Sequence, residues 1–171
     1  MTRTPTIGLD DRVAVVGIGS ALRGDDAVGL RLLDHLDSRR GHSGDDRLLL
    51  VEGGVAPENH TSVIRRFAPD WIVLVDAVDF GGDPGSGKWV DPDDLGGESF
   101  SSHKSTPAML RTFLARETGA EVALFGIQPA TIDHARALSD AVEHRLDELA
   151  EELAEILSID GPSTGGNSRT T

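Results

Sequence analysis

The sequence predicts an α/β fold in three layers, α/β/α, around a mainly parallel central sheet of about five strands. Three observations carry that expectation. Short continuous apolar runs such as Val13–Val16 and Trp71–Val75 have the length and branched-residue content of strands buried on both faces. Segments with helical spacing of apolar residues lie between them, so strand and helix alternate as in βαβ units. A glycine-rich turn, Gly17 to Gly29, joins the first run to the first helix.

Val13–Gly17 reads as the first strand and Ala27–Ser38 as the first helix, followed by a polar loop, Arg39–Asp46. Leu48–Glu52 is the second strand. After the turn at Gly53, Gly54 and Pro57 comes a short helix near Asn59–Phe67, then the third strand, Trp71–Asp76. The Gly81–Gly85 turn precedes a short edge strand, Lys88–Val90, which Asp91-Pro92 ends. Thr106-Pro107 opens a helix with proline at its first position, running to Gly119. Glu121–Ile127 is a further strand, and one long amphipathic helix is expected over Ser139–Leu157. No internal repeat is present.

With 171 residues, 38% of them hydrophobic, the chain fits a single domain over residues 1–160. The head, Met1–Asp11, and the Gly/Ser/Thr-rich tail, Gly161–Thr171, are expected to be disordered. A net charge of −13 argues against nucleic acid as a partner, because phosphate-backbone affinity needs clustered Lys and Arg. Only Lys88 and Lys104 are lysines beside 29 acids, a balance that suits a protein adapted to high salt. No apolar run approaches the ~20 residues of a membrane span, and no hydrophobic leader opens the chain. The expectation is a cytoplasmic protein without a membrane partner. Cysteine is absent, which excludes disulfides and thiolates, so any metal must be held by Asp, Glu or His.

In open α/β sheets, ligands gather beyond the carboxyl ends of the strands. Asp25 and Asp26 follow the first strand, Glu52 ends the second and Asp76 caps the third, while His103 stands in a polar loop before a helix. Asp26, Asp76 and His103 together would make two carboxylates and an imidazole, a set suited to a divalent transition metal with open positions. Each also has a plainer reading: either Asp25 or Asp26 as a helix cap, Asp76 as a turn residue, His103 as a solvated loop histidine. Nucleotide alternatives fare worse. The third glycine of a dinucleotide fingerprint is replaced by Leu22, Glu52 lies well beyond the ~20-residue spacing of a ribose contact, and no Lys follows the glycines as in a Walker loop. The His-Glu-x-x-His zinc-protease motif is absent.

Six pieces, in order, resemble the maturation endopeptidases of nickel-iron hydrogenases: Gly17–Asp26, Gly53–Asn59, Val75–Asp79, Asp91–Leu95, the loop with His103, and Gly126–Pro129. The Gly53–Asn59 and Gly126–Pro129 pieces are similar to the formate-hydrogenlyase-type branch. The resemblance spans roughly Val13 to Leu157. It implies an enzyme that removes the C-terminal peptide of a hydrogenase large-subunit precursor, with Asp26, Asp76 and His103 as the metal-binding and catalytic trio. It also implies that the metal is nickel supplied by the precursor, with other divalent metals able to substitute. That nickel either polarises the scissile carbonyl, activates water, or serves as a recognition handle. Gly53, Gly54 and Gln128 are expected to shape the substrate cleft, and Glu52 to orient water or a ligand. Ser20, Ala27 and Glu52 stand where the family usually has Asn, Gly and, in some relatives, Asp. The alternative is a non-catalytic nickel-binding checkpoint protein on the same scaffold, motivated by the lack of a recognisable nucleophile.

Overall fold

The computed structural model describes residues 4–40, 46–95, 106–133 and 137–158. Five strands, β1 (Val13–Ile18), β2 (Leu48–Gly54), β3 (Trp71–Ala77), β4 (Gly87–Val90) and β5 (Glu121–Ile127), form one sheet in the order β2-β1-β3-β5-β4. β1 pairs in parallel with β2 and β3, and β3 with β5, Val15 lying opposite Leu50 and Val73. β4 alone is antiparallel, with Trp89 opposite Phe125. Every residue of β1 is buried, as a central strand covered on both faces requires.

Alternation along the strands feeds two cores. Val13, Val15, Val73 and Val75 face Leu32, Leu36, Leu149 and Leu153, from α1 (Val28–Arg40) and α5 (Leu146–Ile156). Ala14, Val16, Ile72 and Leu74 face Ile64, Leu110 and Leu114, from α2 (Thr61–Phe67) and α3 (Pro107–Thr118). These are the three expected layers. α1 follows β1 on one face and α2 precedes β3 on the other, so the connections part between β1 and β3 and open a crevice at their carboxyl ends.

Three expectations change. The last helix is broken into α4 (Asp140–Glu143) and α5, because Arg145 N–H bonds back three residues to Val142 O at 3.0 Å and tightens the turn. Its side chain leaves the helix surface to donate to Gly85 O at 3.3 Å. The first strand continues into a 3₁₀ turn, Gly24–Ala27, before α1 begins. The head is ordered from Thr4: Pro5 is buried, Ile7 packs against the α1–α5 core, and Gly8 N–H donates to Asp11 Oδ2 at 2.7 Å. Met1–Arg3 and the tail Gly161–Thr171 lie outside the described residues. Among the described residues no helix is long and apolar enough to cross a membrane.

Candidate active site

The crevice between β1 and β3 is floored by glycines that let the chain fold onto itself. A Cβ on Gly19, whose φ is 128°, would lie 1.8 Å from the Asp26 carbonyl oxygen, so only glycine allows the Gly24–Ala27 turn to close over the end of β1. A Cβ on Gly29 would stand 2.4 Å from Val75 O, which brings the first turn of α1 directly onto β3. These glycines serve close packing of turn and helix on the strand ends.

Asp26 is fully buried in this turn, and Ser20 N–H donates to its Oδ2 at 2.9 Å. Asp76, 2% exposed, is the last residue but one of β3, with Ala77 N–H on its Oδ1 at 2.8 Å. Burial, reinforced by the negative charge of Asp26, raises the Asp76 carboxyl well above the usual carboxylate range, against the smaller opposing effect of the Ala77 bond. The structure therefore brings together two of the three residues singled out in the sequence. His103 lies outside the described residues, and among the described residues no group of three His, Asp or Glu is gathered to hold a metal.

The adjacent acid has a different use. Asp25, one of the two candidate helix caps, leaves the 3₁₀ turn without a side-chain cap. Its Oδ1 accepts from Ser139 N–H at 2.7 Å, and its Oδ2 from Ala130 N–H at 2.7 Å, Thr131 N–H at 3.2 Å and Ser139 Oγ at 2.8 Å. The residues bound are more than a hundred positions away in the chain, so no local spacing in the sequence announces them. Glu52 stands exposed at the end of β2, on the strand side occupied by Leu48 and Leu50, which is the α1 face; Asp76 alternates onto the α2–α3 face with Ile72 and Leu74.

Gly53 is packed so closely that a Cβ would lie 2.9 Å from Gly17 O. Gly54, at φ 60°, accepts from Gly19 N–H at 2.9 Å and has open space where a side chain would be. Gln128 is buried, and its amide is engaged by its own chain. Oε1 accepts from Phe80 N–H at 2.9 Å and Gly82 N–H at 3.1 Å, and Nε2 donates to Asp79 Oδ1 at 3.1 Å and Pro129 O at 3.4 Å. The Gln128 amide, with Gly81 N–H, holds the exposed Asp79 carboxyl below its usual range. A cleft of about 460 Å³ lies elsewhere, at the amino ends of the strands, between Trp71, Trp89, Arg111 and Glu121.

Residues 30–156 match the family model HycI, hydrogenase maturation protease. The chain belongs to the hydrogenase maturation protease family. It is 29% identical over 150 residues to a putative hydrogenase maturation protease of Methanocaldococcus jannaschii, covering 85% of this chain and 88% of that one. Against the hydrogenase 3 maturation protease of Escherichia coli K12 it is 29% identical over 130 residues, 74% of this chain and 81% of the relative. The fold matches the crystal structure of the [NiFe] hydrogenase maturation protease HycI of Thermococcus kodakarensis at TM-score 0.74 and 33% identity, covering 86% and 93% of the two chains. Gly53, Gly54, Asp76 and Gln128 fall within the matched residues, which begin at Leu30. Asp26 and the turn that carries it precede them.

Proposed function

We propose that this protein cleaves the C-terminal extension from a nickel-loaded large-subunit precursor of a nickel-iron hydrogenase, with Asp26 and Asp76 receiving the nickel that the precursor brings. The observation that carries the reading is the pair itself. Two carboxylates held side by side out of water are an unfavourable arrangement for a protein alone, and a cation placed between them reverses the sign of their interaction. Carboxylate oxygens suit a divalent ion, and other divalent metals are expected to substitute in binding.

In this reading the nickel is part of the substrate and supplies positive charge at the place where the peptide must be cut. The residues of this chain bind and orient. Ser20 N–H fixes one oxygen of Asp26, β3 presents Asp76, and His103 supplies the third group that the family resemblance implies. The open space beside Gly54 offers a peptide chain room to lie against the end of β2. The reaction is hydrolysis: water adds across one peptide bond, leaving a new carboxylate on the mature subunit and a free amine on the released peptide.

Purified protein mixed with nickel-loaded and nickel-free precursor, followed by intact-mass spectrometry, tests this. The expected result is loss of the C-terminal peptide from the nickel-loaded precursor only, and no loss with Asp26→Asn or Asp76→Asn. Full cleavage by Asp76→Asn removes the carboxylate role. Tight binding of the loaded precursor without any loss of mass replaces the protease with the checkpoint protein.

A further inference from the structure

Asp26 and Asp76 stand on two separate pieces of backbone. One is the uncapped turn Gly24–Ala27; the other is the end of β3, beyond which residues 78–82 leave the sheet ladder. The two pieces meet directly, since a Cβ on Gly29 would stand 2.4 Å from Val75 O, and both are also fastened to a third, Gly126 to Thr131. Asp25 binds that segment through Ala130 and Thr131, and its own N–H returns a bond to Thr131 O at 2.8 Å. Gly24 lies against the same place, where a Cβ would meet Thr131 O at 2.8 Å. From the other side Gln128 ties down Phe80, Gly82 and Asp79, and Val78 N–H donates to Ile127 O at 3.0 Å.

A glutamine amide has two lone pairs and two N–H donors to offer. All four are taken within this chain, which leaves Gln128 nothing to give a substrate peptide. We infer that residues 126–131 are a common template for both loops, and that Asp25 and Gln128 are positioning residues that set the separation of the Asp26 and Asp76 carboxylates. The inference deepens the proteolytic reading and rests on it for its kinetic consequences. A shift of about 1 Å in such a pair is enough to lower turnover about 100-fold.

The test uses the full chain and two readouts, crystal structures of the variants and steady-state processing of the nickel-loaded precursor. Gln128→Ala should change the Asp26–Asp76 separation and lower kcat about 100-fold with KM changed by less than about twofold. Gln128→Glu keeps the acceptor for Phe80 and Gly82 but sets a carboxylate against Asp79; adding Asp79→Asn returns a donor to that contact and should restore most of kcat. This rescue pair carries the test if Gln128→Ala does not fold, because a general loss of stability is not repaired by one neighbouring amide. A raised KM with kcat intact, an unchanged carboxylate separation, or no rescue by Asp79→Asn overturns the inference. If the wild-type protein leaves the precursor uncut, the proteolytic reading fails, and the crystal structures alone decide whether Gln128 sets the separation.

Discussion

Asp25 and Asp76 lie at the same end of the sheet and are equally withdrawn from water, yet their surroundings are opposite. Around Asp25 the protein has replaced lost hydration with four donors from two distant segments. Asp76 Oδ1 accepts from the N–H of the next residue, and the negative charge of Asp26 acts on the same carboxyl. Burial alone therefore does not make two acids equivalent; what faces each carboxylate sets its charge. An acid surrounded by donors is part of the scaffold. An acid placed beside another acid stores an electrostatic cost that a cation can relieve.

The largest effect that would break this contrast is on activity. Asp26→Asn should reduce precursor processing at least about 100-fold, since it removes half of the charge available to a cation, while thermal stability stays the same or rises with the repulsion gone. Mass spectrometry and a melting curve read the two together; activity lost only in step with stability would make Asp26 another scaffold acid. Next in size, Asp25→Ala should cost about 2 kcal/mol of folding stability in urea denaturation, because partly buried donors on Ala130, Thr131 and Ser139 lose their acceptor. A loss below about 1 kcal/mol would mean that water replaces the carboxylate easily.

A smaller, pH-dependent effect sharpens the comparison. The Asp76 carboxyl is raised in the folded protein by burial first and Asp26 second. Its contribution to stability is thus fully present below the unfolded value, about 4, and is lost as pH rises through the higher folded value. Wild-type stability measured against Asp76→Asn should fall over that window, and a difference independent of pH would remove the electrostatic account. Smallest of all, Arg111→Ala should shift stability by no more than about 1 kcal/mol and leave processing unchanged. Its ion pairs with Asp91 and Asp93 are partly exposed and border the cleft at the opposite end of the sheet.

That cleft is instructive because size and chemistry part company in this fold. About 460 Å³ of open volume lies beside Trp71 and Trp89 at the amino ends, while the buried acids gather at the carboxyl ends. The topology explains the second location: only there do connections leave in opposite directions from neighbouring strands.

Much of the architecture was legible in the chain. The runs Val13–Val16 and Trp71–Val75 are strands because branched apolar residues fit a surface covered on both sides, and Thr106-Pro107 starts α3 because Thr106 Oγ1 accepts from Met109 N–H at 3.2 Å while proline has no donor to waste. The break between α4 and α5 was not legible. Apolar spacing runs through Val142, Leu146 and Leu149 without interruption, and the tightening follows from contacts between Arg145 and the Gly85 turn, sixty residues apart. The ordered head was missed for a similar reason, since a single Ile7 carries no period, and only the finished core shows where it packs.

For the site, the sequence by itself determined which acids were available and at which strand ends they stand, because strand length and glycine turns are local properties of backbone and side chain. It also marked Asp26 and Asp76 as a potential pair. Tertiary structure decided the rest: that Asp25, one residue away, is turned into a clamp on Ala130, Thr131 and Ser139; that Gln128 spends its whole amide on its own chain; and that Glu52 alternates onto the other face of the sheet. The long-range bonds among them join groups 46 to 114 residues apart in the chain. A hydrogen bond or a repulsion of that kind exists only when folding has brought its two ends together.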